Sequence, residues 1–130
     1  MTTDEKKRIL IVDDDPDILF QFRVQFEAAG FEVVETDSAD KARQLLATAS
    51  VDLAVVDLMM EQLDAGFTLC YAIKKAWPNM PVIIVTGVAA ETGMDFDAAT
   101  HEERSWIKAD VVLAKPVRFE QLLGEVRRLL

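Results

Sequence analysis

The chain has 130 residues, 51% apolar and 28% charged, so it can enclose one hydrophobic core and is too apolar for a disordered segment. Its 14 Lys+Arg stand against 23 Asp+Glu, a net charge of -9 that argues against direct nucleic-acid binding and adhesion to anionic lipid. One cysteine, Cys70, excludes an internal disulfide and, set in an apolar helical pattern, reads as a buried small residue in a reducing compartment. The start, MTTDEKKR, is polar, and Ile9 to Val12 is too short for a signal peptide or membrane span, so a cytoplasmic protein is expected.

Short apolar runs alternate with amphipathic stretches, the pattern of a parallel sheet covered by helices. The first strand is Arg8 to Asp13. A helix follows over Pro16 to Ala29, with Asp15 as N-cap, Pro16 in the first turn and Gly30 as the stop. Its apolar face carries Ile18, Phe22 and Phe26, with Leu19 alongside. Phe31 to Thr36 is the second strand. Ser38 caps a helix to about Ala49, turning Ala42, Leu45 and Leu46 inward. Val51 to Asp57 is a third strand, apolar enough for a central, doubly covered place. A helix spans Gly66 to Trp77 and stops at Pro78. Pro81 to Thr86 is the fourth strand, and an irregular stretch then leads to a helix ending near Lys108. Val111 to Ala114 forms a short fifth strand. The last helix, Arg118 to Leu130, faces inward with Phe119, Leu122, Leu123, Val126 and Leu129. Five β/α units without repeat or linker make one domain over residues 1–130, structured from about residue 7.

Ligands of open α/β sheets bind at the carboxyl ends of the strands, near the point where strand order reverses. Strand one ends at Asp13 and Asp14, strand three at Asp57, strand four at Thr86, and strand five runs into Lys115. Taken singly, each has an ordinary explanation: a turn or cap aspartate, loop chemistry at Thr86-Gly87, a solvated lysine before Pro116. Together they place three carboxylates, a hydroxyl and an ammonium on one edge. Mutually repelling carboxylates suit a hard divalent cation such as Mg²⁺. A phosphoryl group arriving there needs its charge neutralised, which Lys115 and the Thr86 hydroxyl can share, and one carboxylate can act as nucleophile.

These segments resemble the receiver domain of two-component response regulators over essentially the whole chain. ILIVDDDPD is similar to its first strand and acidic pair, and VDLAVVDLMM to the segment around its phosphorylated aspartate. PVIIVTG and LAKPVRFEQLL match its Thr strand and its Lys-Pro with last helix. The resemblance implies a flavodoxin-like doubly wound five-stranded parallel sheet, order 2-1-3-4-5, with helices on both faces. It implies that Asp57 accepts a phosphoryl group from a histidine kinase. Asp13, Asp14, Asp57 and the Met59 main-chain carbonyl would hold Mg²⁺ (Mn²⁺ as substitute), while Thr86 and Lys115 engage the phosphoryl oxygens. It further implies signalling to a downstream protein through the fourth helix, fifth strand and last helix, as a monomer or weak dimer, and a Lys115-Pro116 bond in the cis form. The stand-alone, chemotaxis-regulator-like form is expected over an excised receiver.

The chain also departs from that pattern. Val112 stands where the family has an aromatic switch residue three places before the Lys. Glu61 occupies a position usually held by Pro, and one residue is extra before Gly66. Gly87 to Asp110 is longer than usual, either a neutral loop insertion or a partner-specific surface with Phe96 and Trp106 as candidate anchors; Trp106 equally suits the core, and His101 reads as a surface residue. Other functions compete with this one. A haloacid-dehalogenase-type phosphatase fits Asp13-x-Asp15, but only Glu120 and Glu125 follow Lys115 as acids. A phosphorylation-independent binding module has no need of the complete acidic, Thr and Lys set. A nucleotide-binding Rossmann domain is disfavoured because no G-x-G-x-x-G follows the first strand. Met59, Met60 and Val88 cannot position a water for attack on an acyl phosphate, so self-dephosphorylation is expected to be slow; following the decay of the phosphorylated form checks this, and loss within seconds contradicts it.

Overall fold

Strand segments such as ILIV, LAVV and VIIV are apolar at every position, a composition that suits strands covered on both faces. The computed structural model describes residues 6–57, 65–86, 110–114 and 117–130. Its strands are β1 (Arg8–Val12), β2 (Glu32–Thr36), β3 (Leu53–Asp57), β4 (Val82–Thr86) and β5 (Val111–Ala114). They form one parallel sheet in the order β2-β1-β3-β4-β5, as expected. The described helices are α1 (Pro16–Ala28), α2 (Ala39–Thr48), α3 (Ala65–Ala76) and α4 (Phe119–Leu129). The expected helix ending near Lys108 falls outside the described residues, as do Glu61, Phe96, His101 and Trp106.

Alternation along the strands divides the core in two. Leu10, Val12, Ala54, Val56, Val82 and Ile84 pack with Ala42 and Leu46 of α2 and Leu69 and Ile73 of α3. Ile9, Ile11, Leu53, Val55, Ile83 and Val85 pack with Leu19, Phe22 and Phe26 of α1 and Leu122 and Val126 of α4. Of the expected inward positions, Ile18, Leu45, Phe119, Leu123 and Leu129 are only partly buried. Cys70 is fully buried in the first cluster, and that burial pushes its thiol up to about 12 against a smaller opposing pull from Lys74. The thiol is therefore packing rather than chemistry.

Local signals set most element ends. Asp15 Oδ1 accepts the Asp17 N–H at 2.9 Å, and Ser38 Oγ accepts the Lys41 N–H at 3.2 Å, so both expected caps form. Gly30, at φ 99°, takes the left-handed turn from α1 toward β2. The third strand starts at Leu53 rather than Val51, because Asp52 does a different job. Its N–H donates to the Arg8 carbonyl at 2.9 Å, and its Oδ2 accepts the Arg8 N–H at 2.8 Å. The same reciprocal clasp recurs between Asp110 and Val82, at 2.9 Å and 2.8 Å, just before β5. Each satisfies a backbone N–H at the sheet's N-terminal edge that would otherwise lack a partner.

Phe26 joins α1 to the elements around it. Its ring lies edge-on to Phe22, Phe31 and Phe119, with centroids 6.3, 5.8 and 5.0 Å away. It is fully buried, so truncation leaves a cavity that three rings cannot all fill. Phe26→Ala is expected to destabilise by about 3–5 kcal/mol, read as a lower urea midpoint at unchanged slope.

Candidate functional site

The functional edge is built where β1 and β3 end side by side while their connections leave in opposite directions. Asp13 extends the sheet one residue past β1, its N–H donating to the Thr36 carbonyl at 3.2 Å. Its Oδ1 accepts the Asp15 N–H at 2.9 Å, which fixes the carboxylate. Asp15 in turn caps α1, so the first helical turn holds the loop that carries Asp13 and Asp14. Asp57 closes β3, flanked by β1 and β4 and in register with Val85.

Asp13 and Asp57 are 4% and 5% exposed, whereas Asp14 is exposed. One carboxylate oxygen from each of the three lies within 4.8 Å of the others. At an effective dielectric near 20, two unit charges at that spacing oppose each other by about 3–4 kcal/mol. The three donors are all hard oxygens, two held by strand ends and one open to solvent. Such a set could hold a divalent cation with positions left for water and an incoming oxygen.

Thr86 ends β4, and its strand register sets it opposite Ala114 of β5. Lys115 follows Ala114 in the chain but lies outside the described residues, as do Met59, Met60, Val88 and Pro116. The structure therefore brings the three aspartates together, and places the strands that lead to Thr86 and Lys115 next to one another. Val112 is half-buried and packs against the α2/α3 cluster, the place an aliphatic residue takes in the core. Sequence reading missed Asp52 and Asp110 as clasps. Their signal was present, since each lies five residues before a candidate site residue, Asp57 and Lys115.

A doubly wound parallel sheet with a carboxylate cluster at its switch point defines an α/β protein whose site could hold a cation. The chain belongs to the response regulator receiver domain family, whose model matches residues 9–127. It is 36% identical over 124 residues to the heme response regulator HssR of Staphylococcus haemolyticus, covering 95% of this chain and 51% of that protein. The chain thus spans about half the length of the curated relatives it matches. Among solved structures, a CheY-like receiver domain protein of Methanospirillum hungatei superposes with a TM-score of 0.79 at 29% identity, covering 95% of this chain and 93% of that one. The response regulator TrrA of Thermotoga maritima, solved in complex with Mg²⁺-BeF, gives 0.78 at 26% identity, covering 95% and 99%. The family result leaves the phosphatase and binding-module readings without support. Among the described residues, no helix is long and apolar enough to cross a membrane.

Removing one charge from the cluster separates stability from cation binding. Asp14→Asn is expected to raise stability in EDTA by up to about 1 kcal/mol, because exposed like charges interact weakly. The same variant should lose most of the melting-temperature rise that a divalent cation gives the wild type, as thermal melts with and without the cation would show.

Proposed function

We propose that Asp57 is the phosphoacceptor of a single receiver domain spanning residues 1–130, phosphorylated by a histidine kinase in a Mg²⁺-dependent reaction. The observation that carries this reading is the convergence of Asp13, Asp14 and Asp57 within 4.8 Å at the switch point. In it, Asp13, Asp14, Asp57 and the Met59 carbonyl hold the cation, for which Mn²⁺ can substitute. When bound, Mg²⁺ supplies charge neutralisation for the carboxylates and the phosphoryl oxygens. That TrrA was solved with Mg²⁺-BeF supports the choice of metal.

One oxygen of the Asp57 carboxylate attacks phosphorus as the bond from phosphorus to the donor nitrogen breaks. The bond pair passes to that nitrogen of a phosphohistidine ring protonated at its other nitrogen, which leaves an aspartyl phosphate and a neutral imidazole on the kinase. The burial of Asp57 keeps bulk water from the acyl phosphate, and the exposed side at Asp14 leaves an approach for the donor. The Thr86 hydroxyl donates to one phosphoryl oxygen and Lys115 pairs with another. The chain thus promotes only its own phosphorylation and dephosphorylation. The phosphorylated surface around β5 and α4 then regulates a downstream protein in the cytoplasm, with the domain acting as a monomer or weak dimer.

Acetyl phosphate with Mg²⁺ should add one phosphoryl group to the intact protein by mass, and none to Asp57→Asn. Equal gain on both proteins, or no gain on the wild type, would overturn the assignment.

A further inference from the structure

The parallel strands that lead to Asp57 and Lys115 begin alike. Asp52 and Asp110 each stand five residues upstream of those positions, and each closes a two-way backbone clasp with the first residue of a neighbouring strand. Their situations otherwise differ. β3 is paired on both sides, so β1 and β4 fix its register independently of Asp52. Among the described residues, β5 is a four-residue edge strand with one neighbour, β4.

Register on that edge is poorly encoded by side chains. The strand reads VVLA, apolar at every position, so a one-residue slip still offers apolar groups to both faces. Val111 and Val112 are only half-buried, which weakens the penalty for a slip further. The clasp supplies what the pattern lacks. The Asp110 N–H donates to the Val82 carbonyl and Asp110 Oδ2 accepts the Val82 N–H, which fixes where β5 starts against β4. Lys74 Nζ of α3 sits 2.7 Å from the same Oδ2 and also donates to the Met80 carbonyl at 2.7 Å, holding the carboxylate in place.

We infer that Asp110 is a positioning residue for the phosphoryl-transfer site, acting through β5 register to set where the chain leaves the sheet toward Lys115. The two ends of the lever lie about 16 Å apart along the strand, so Asp110 touches no reacting group. A one-residue slip would shift the end of β5 by about 3 Å and reverse the face to which each of its positions points, and so change where the chain enters Lys115. The inference rests on the proposed role of Lys115 in pairing with the phosphoryl group.

The test is a double-mutant cycle on the full chain, reading the rate of Asp57 phosphorylation by acetyl phosphate and Mg²⁺ (intact mass against time). Asp110→Ala should slow phosphorylation about 10-fold or more, in line with misplacement of a charge-neutralising group. Mg²⁺ affinity, read by titration, should stay within about twofold, since the three aspartates lie on other strands. In a Lys115→Ala background the added Asp110→Ala should change the rate little, because the group it positions is already gone. Asp110→Asn keeps an oxygen acceptor for the Val82 N–H and should recover most of the rate. Asp52→Ala opens the matching clasp on β3; it should lower the melting temperature by a similar amount yet leave the rate within about twofold. Additive effects of Asp110→Ala and Lys115→Ala, or equal slowing by Asp52→Ala, would overturn the inference while leaving the Asp57 assignment intact. A wild-type rate in Lys115→Ala would instead remove the proposed lysine role, and this inference with it.

Discussion

Three carboxylates held within 4.8 Å of each other form an arrangement that the folded chain sustains against its own electrostatics. Two of them are nearly inaccessible to water, so solvent does little to relieve their repulsion. The opposing energy is a few kcal/mol, comparable to a large fraction of a small domain's net stability. The strands beneath it are held by packing on both faces, which helps the fold sustain the cluster. β1 and β3 are central, apolar over Ile9 to Val12 and Leu53 to Val56 and covered on both faces, and they carry the aspartates at their ends into place. The same repulsion would favour a cation placed among the three carboxylates.

The two edges of the sheet divide the labour. At the C-terminal edge three carboxylates converge within 4.8 Å, a set that could hold a cation. At the N-terminal edge the carboxylates of Asp52 and Asp110 are satisfied internally, by Arg8 and Val82 backbone groups and, for Asp110, by the Lys74 ammonium. Aspartate therefore plays opposite parts in one molecule. Where it closes a backbone clasp it stiffens the frame, and where three meet their like charges oppose one another.

Much of the frame and part of the site are legible in the amino-acid sequence. All-apolar strand runs alternating with amphipathic stretches define the α/β class, and Asp15-Pro16 and Ser38 mark helix starts that form as expected. The residues at strand ends single out Asp13, Asp14 and Asp57, which the fold does bring together. What is illegible has a common cause. Asp52 looks like part of its strand and Asp110 like the tail of a long connection, because their partners, Arg8 and Val82, lie 44 and 28 residues away. Val112 and Ile18 are likewise only half-buried despite apolar patterns, since periodicity says which way a residue faces and not how much protein covers it.

The sequence by itself determined the order of elements, the caps, the covered faces and the identity of the residues at each strand end. These depend on neighbours within a few positions, through backbone propensity and hydrophobic period. Tertiary structure alone decided how close Asp13, Asp14 and Asp57 come, that two of them are buried and one is exposed, and which strand starts are clasped by which aspartate. Those properties depend on groups far apart in the chain, and only strand pairing in a fixed register converts sequence separation into distances of a few ångströms.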